Sequence, residues 1–217
     1  MPRPEFDIAT DSRGQKRLWL NGEWKSSYRD LILFHKVTEL YITWDPALFA
    51  KTPAGPDVNA DFFNDELCIS NFRIRCALPI DLTPVLQSST IVAAEIDCPK
   101  MKQPLDFSRL KNLKRLNVVW NKKISSLTHL SGLSSLSIQN YPYTTLSELK
   151  KMTQLERLEL IGSRKLTSLE GLGAFSHLVH LYVESAPYLA NISEIENIPY
   201  RGDVLFDRCK LVSAMGL

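Results

Sequence analysis

LKNLKRLNV (Leu110–Val118), LSGLSSLSI (Leu130–Ile138), MTQLERLEL (Met152–Leu160) and FSHLVHLYV (Phe175–Val183) are four versions of one pattern. Each block carries apolar residues at its first, fourth, seventh and ninth positions. The third of these falls at Leu116, Leu136, Leu158 and Leu181, so the steps are 20, 22 and 23 residues. A nearly fixed period of this size means stacked supersecondary units, each too small to bury its own apolar face. The closing L-x-L of a block reads as a short strand with two side chains on one face.

Worked outward, the register predicts further turns. FHKVTELYI (Phe34–Ile42) fits with Phe34, Val37, Leu40 and Ile42 inside, and NDELCI (Asn64–Ile69) offers Leu67 and Ile69 as a strand pair. IVAAEI (Ile91–Ile96) offers Ala94 and Ile96, and VLF (Val204–Phe206) supplies the last strand. Strands at 40, 67, 94, 116, 136, 158, 181 and 204 make about eight turns, the first two lengthened to 27 residues. Pro46–Phe63 holds three prolines and a glycine, which predicts a loop excursion. LPIDLTPVLQSS (Leu78–Ser89) predicts a short helix, with Asp81 or Thr83 as cap, Pro84 in its first turn and Val85 and Leu86 inward. From residue 105 the L-x-x-L runs, such as LTSLEGL (Leu166–Leu172), favour 3-10 or irregular turns over amphipathic helices.

Residues 1–33 are expected to form an N-terminal cap, 34–206 the solenoid and 207–217 a C-terminal cap. Residues 1–17 read as a polar lead-in. In RLWLNGEWK (Arg17–Lys25), Asn21-Gly22 suits a type I′ hairpin turn, with Trp19 and Trp24 as an aromatic lid over the open end.

The string L-x-x-L-x-x-L-x-L-x-x-N is almost intact at Leu110–Asn121, followed by a convex run from Ile124. This resembles the short bacterial, internalin-like leucine-rich repeat of about 22 residues. The resemblance implies an α/β solenoid, an arc with a parallel β-sheet on its concave face, that binds another macromolecule. The chain departs from the motif at the Asn position, which Asp45, Phe72, Pro99, Tyr141, Ser163, Ala186 and Cys209 fill in the other turns. Backbone groups there need other partners.

The 217 residues are 44% hydrophobic and 23% charged, with a net charge of +2. That balance suits a folded protein and demands neither nucleic acid nor an anionic membrane as partner. The N-terminus lacks the apolar core of a secretory signal, and no apolar run has the ~20 residues of a membrane span. Four cysteines without a C-x-x-C pair point to a cytoplasmic home with reduced thiols.

The residues beside and between the strand apolars point away from the core and define the candidate partner-binding set. It comprises Glu39, Tyr41, Trp44, Glu66, Glu95, Asp97, Arg115, Asn117, Trp120, Arg157, Glu159, His180, Tyr182 and Glu184. Glu39, Glu66, Glu95 and Asp97 form one expected acidic cluster; Glu159, Glu184, Asp203 and Asp207 form another. Acidic arrays steer basic ligands, and tyrosine and tryptophan supply anchors, so the expected partner is a basic protein.

His177 and His180 lack the companions of a metal site, and Cys68 and Cys98 have no histidine beside them. No catalytic residue, metal or cofactor is expected. The chain reads as a non-catalytic protein-binding module, monomeric or paired through its edge strands. One version is an immunity protein masking a basic toxin; another is an effector or adaptor acting in a host cell.

Overall fold

The computed structural model describes residues 5–22, 24–44, 58–127, 129–198 and 202–213. In chain order the elements begin with β1 (Phe6–Thr10), β2 (Lys16–Asn21), α1 (Ser26–His35), β3 (Glu39–Trp44), β4 (Val58–Asn59) and β5 (Asn71–Cys76). Next come β6 (Ile80–Asp81), α2 (Thr83–Leu86), β7 (Ala93–Asp97), β8 (Leu105–Asp106), β9 (Arg115–Val119) and β10 (Ile124–Ser126). The last are β11 (Ser135–Gln139), β12 (Arg157–Ile161), β13 (His180–Glu184), β14 (Asp203–Asp207) and α3 (Lys210–Ser213). Two compact units divide the chain, one of residues 1–112 with 121–125, the other of 113–120 with 126–217.

In the N-terminal unit β2, β3, β5 and β7 pair in parallel, and β1 lies antiparallel on β2. Leu18, Leu40, Phe72 and Ala94 align in one inward row, and Leu20, Ile42, Ile74 and Ile96 in the next. All eight are buried. The steps along the first row are 22, 32 and 22 residues, so a single long turn replaces the two of 27 expected from sequence. The strand placed at Leu67 and Ile69 is instead a 3-10 turn over Asp65–Leu67, with Cys68 left-handed behind it. Leu67 and Ile69 are nonetheless buried, which is why the apolar pattern mimicked a strand pair. The residues from 45 to 57, most of the expected loop excursion, lie outside the described residues.

The hairpin also forms earlier than expected. Its turn is Asp11–Gln15, where the Asp11 carboxylate accepts from the amides of Arg13 and Gln15, both at 2.9 Å, and Gly14 takes φ +80°. Residues 6–10, read as part of a lead-in, are thus a strand, while Asn21 ends β2 and belongs to the first parallel turn. Helix α1 buries Tyr28 and Ile32, one turn apart. Phe34, read as an inward residue, falls on the opposite side of that helix and is 82% exposed.

The long turn is tied down by Asp65. Its carboxylate accepts from the Ser88 hydroxyl at 2.8 Å, the Ser89 hydroxyl at 2.5 Å and the Ser89 amide at 3.0 Å. These bonds, Ser89's first, hold its carboxyl below the usual carboxylate range. Helix α2 forms with Pro84 in its first turn and Val85 and Leu86 buried, and Asp81 accepts from the Thr83 amide at 2.8 Å.

In the C-terminal unit β9, β11, β12, β13 and β14 pair in parallel and in register. Within this unit Leu116, Leu136, Leu158 and Leu181 form one buried row and Val118, Ile138, Leu160 and Val183 the next. The opposite side is built from short 3-10 turns at Ser147–Leu149, Leu172–Ala174 and Ser193–Asn197. Turns approach closely there. Gly171 takes φ +99°, and a Cβ on it would stand 2.9 Å from the Ser147 amide nitrogen and 3.0 Å from the Leu146 carbonyl carbon.

A left-handed residue follows β11, β12, β13 and β14 in turn, at Asn140, Gly162, Ser185 and Arg208. It bends each strand into its outer segment. At the Asn position of the motif the substitutes differ by turn. Asn121 donates to the Cys98 carbonyl at 3.1 Å, the Cys209 thiol to the Val183 carbonyl at 3.4 Å, and the Tyr141 hydroxyl to the Thr145 carbonyl at 2.8 Å.

Candidate functional site

Because side chains alternate along a strand, the residues between and beside the two inward rows face away from the core. In the N-terminal unit this gives three rows: Arg17, Glu39, Asn71 and Ala93; Trp19, Tyr41, Arg73 and Glu95; Asn21, Thr43, Arg75 and Asp97. Only Glu39, Tyr41, Glu95 and Asp97 of these were in the set chosen from sequence. Trp19 and the arginines were not.

Tyr41 is the centre. Trp19 lies 5.8 Å from its ring, Arg17 sits over it at 4.5 Å and Arg73 at 5.6 Å. Trp19 is not a lid: it is 45% exposed on the outward face. Trp24 does cover core, stacked on Phe62 at 3.9 Å and edge-on to Tyr28.

The carboxylates expected to form an open acidic cluster are each held by an arginine on another element. Glu39, buried, accepts from Arg17 at 2.6 Å and from Asn71, also at 2.6 Å. Glu95 pairs with Arg73 at 2.8 Å and Asp97 with Arg75 at 2.9 Å. Glu66 stands off the sheet on its 3-10 turn, paired with Arg29. Charges of opposite sign therefore face each other between β2 and β3 and between β5 and β7.

Trp44 is not an anchor either. Strand β3 runs one residue further than the repeat requires, so Trp44 shares the inward parity of Leu40 and Ile42 and is buried. Its indole nitrogen has no hydrogen-bond partner among the described residues.

The outward face of the C-terminal unit carries Arg115, Asn117, Arg157, Glu159, His180, Tyr182 and Glu184 where sequence placed them. Arg157 meets Glu159 at 3.5 Å, and the Tyr182 hydroxyl donates to Glu184 at 3.1 Å. Glu184 also pairs with Arg208, which reaches Asp207 at 3.2 Å. Trp120 lies just past β9, half-buried, edge-on to Tyr143 at 5.7 Å. The second acidic cluster is thus largely paired as well.

Of the four cysteines, Cys76, Cys98 and Cys209 are buried and Cys68 is exposed. Burial pushes all three buried thiols up. Among the described residues no group of three or more His, Cys, Asp or Glu could hold a metal, and no helix is long and apolar enough to cross a membrane.

One parallel strand per turn, a recurring 22-residue step and a buried L-x-x-L-x-x-L-x-L interior define a leucine-rich-repeat solenoid. Solved structures similar to this chain include two internalins. A structure of internalin C2 from Listeria monocytogenes is 20% identical over 64% of this chain and 72% of its own, at a TM-score of 0.41. An internalin (inlF) from the same organism is 17% identical over 85% of this chain and 70% of its own, at 0.44. No family model matches the chain, and no curated protein matches its sequence. The fold class rests on the repeat register itself.

The missed residues had a signal in the sequence. A step of 22 back from Ala94 lands on Phe72, and the same step back from Leu40 lands on Leu18. The first step puts Arg73 and Arg75 on the outward face, and the second puts Arg17 and Trp19 there.

Proposed function

We propose that this chain is a non-catalytic module that binds a protein partner through the outward sheet face of its N-terminal unit. One observation carries the reading: Trp19, nearly half exposed, stands beside Tyr41 between flanking arginines. The strands need Leu18, Leu20, Leu40 and Ile42 for the core, so folding alone does not call for tryptophan at the outward position. Exposed Trp, Tyr and Arg together have the composition of an interface hot spot, and ordering them in advance lowers the entropic cost of binding. A stable complex needs roughly 800 Å² on each side, which four adjacent strands and their flanking turns can supply.

The test is capture of partners from the source lysate by the wild-type chain and by Trp19→Ala, at low and high salt, with identification by mass spectrometry. A partner retained by wild type and lost by Trp19→Ala supports the reading; one retained equally by both overturns it. Masking of a toxin and recruitment of a host protein would both use such a face. A captured toxin would place the chain among immunity proteins, and delivery in a translocation assay would place it among effectors.

A further inference from the structure

A shallow pocket of about 160 Å³ opens on the outward face of the N-terminal unit, lined by Trp19, Tyr41, Ile42, Thr43, Arg73 and Arg75. Its walls include the Trp19 indole, the Tyr41 phenol and the Thr43 hydroxyl, while the Ile42 side chain itself is turned into the core. Among the described residues, its only charged lining side chains are two guanidiniums. Arg73 and Arg75 alternate along β5, so both point outward, with Cα atoms roughly 6.6 Å apart. The pocket lies on the β2–β3 side of β5, while Glu95 and Asp97 stand on β7, on the other side.

Those carboxylates engage only part of each guanidinium. Arg73 uses Nη2 toward Glu95, and Arg75 uses Nε toward Asp97. A guanidinium carries five N–H donors in a planar fork, so donors remain on each. The Arg75 side chain is 64% exposed, open to a ligand from solvent. A lysine or arginine entering here would meet two like charges. A carboxylate would meet two forks beside aromatic walls that exclude water and strengthen the contact.

Size narrows the ligand. Pockets for cofactors and other small molecules run from roughly 300 to 1,000 Å³, well above this one. The volume suits a single side chain.

We infer that this pocket seats the side-chain carboxylate of an acidic segment on the partner protein. This rests on the binding face proposed above, and it gives the site the opposite preference to the basic partner expected from the sequence. Arg73 and Arg75 give the anchor its charge selectivity, and Trp19 and Tyr41 give it an apolar rim.

The test follows the Trp19 indole N–H resonance, assigned with Trp19→Phe, during titration of the full chain. The probes are a capped glutamate decamer, a capped lysine decamer and inorganic phosphate. The glutamate decamer is expected to move the Trp19 resonance, with binding weakened by salt. Arg75→Gln should weaken it about tenfold, as expected for the loss of one charge-assisted hydrogen bond. Arg75→Lys should recover only part, because it keeps the charge and loses the fork. Amide spectra of both variants establish that the sheet is intact.

Movement by the lysine decamer and not the glutamate decamer overturns the inference, as does wild-type affinity in Arg75→Gln. Equal movement by phosphate at the same charge concentration also overturns it, since the rim would then play no part. A still resonance with every probe, while Trp19→Ala loses the captured partner, sinks the carboxylate assignment and leaves the binding face standing. Partner capture undiminished in Trp19→Ala sinks the face itself.

Discussion

Three glycines of the C-terminal unit separate backbone strain from steric overlap. Gly132 has ordinary φ, and a Cβ on it would meet only the flexible end of Lys114 at 3.6 Å. Gly162 takes φ +65°, and its Cβ would meet the Asn140 side chain at 3.2 Å, which can yield. Gly171 combines φ +99° with backbone contacts of 2.9, 3.0 and 3.1 Å to Leu146 and Ser147, which cannot move without parting two turns. Changing each to alanine should therefore give a graded series. Gly132→Ala is expected to be neutral within about 0.5 kcal/mol. Gly162→Ala should cost about 1 kcal/mol, the usual cost of a left-handed residue with a Cβ. Gly171→Ala should cost about 3 kcal/mol, since the strain is joined by overlap and by weakening of the Leu146 amide bond to the Glu170 carbonyl at 2.8 Å. With a urea dependence of about 1–3 kcal/mol per molar, the last variant should lose more than about 1 M in its unfolding midpoint. Amide exchange should locate the loss in the turns holding Leu146 and Gly171, because a repeat array couples chiefly nearest neighbours. Equal midpoints for Gly162→Ala and Gly171→Ala would refute the close approach of these turns.

Trp19→Ala should change the unfolding midpoint by no more than about 0.5 kcal/mol equivalent, because the ring is an outward surface group; a large loss would make Trp19 a structural residue. Arg17→Met should cost about 1–3 kcal/mol by leaving buried Glu39 with Asn71 alone, and Glu39→Gln in the same chain should recover part of it, measured as a double-mutant cycle. Asp65 has a depressed carboxyl, so its stabilisation is present above the ordinary aspartate value of about 3.9 and fades as pH falls through its lower folded value. Asp65→Asn should thus be less stable than wild type at pH 7, with the difference closing in acid; a pH-independent gap would contradict this. Sedimentation at neutral pH should show no pairing through β14, since an antiparallel match centred on Leu205 would set Asp203 against Asp207; a β14-linked dimer would overturn that.

The repeat from Leu110 to Val183 was legible because four consecutive blocks keep their apolar positions, and every one of those positions is buried. The N-terminal part was harder for a physical reason. Leu67 and Ile69 are buried in a turn, so hydrophobicity cannot distinguish them from Phe72 and Ile74 in the strand next to them. The five-residue slip placed Glu66 on the face and hid Arg73 and Arg75. It turned a charge-paired surface into an apparently acidic one. Trp44 failed for a different reason, because strand length fixes parity and a repeat motif does not state where a strand ends. Ion pairing between strands, such as Arg75 with Asp97, follows only once the register is known.

Three buried thiols and one exposed thiol make the molecule easy to tag. A maleimide dye offered to the folded chain has one open attachment point, Cys68, at the left-handed end of the 3-10 turn before β5. Without removing any native cysteine, that position gives a single-colour reporter one strand-entry loop away from Arg73 and Trp19. The same dye added in denaturant would count four thiols, so the ratio of the two labelling levels doubles as a simple gauge of intact fold in any variant described above.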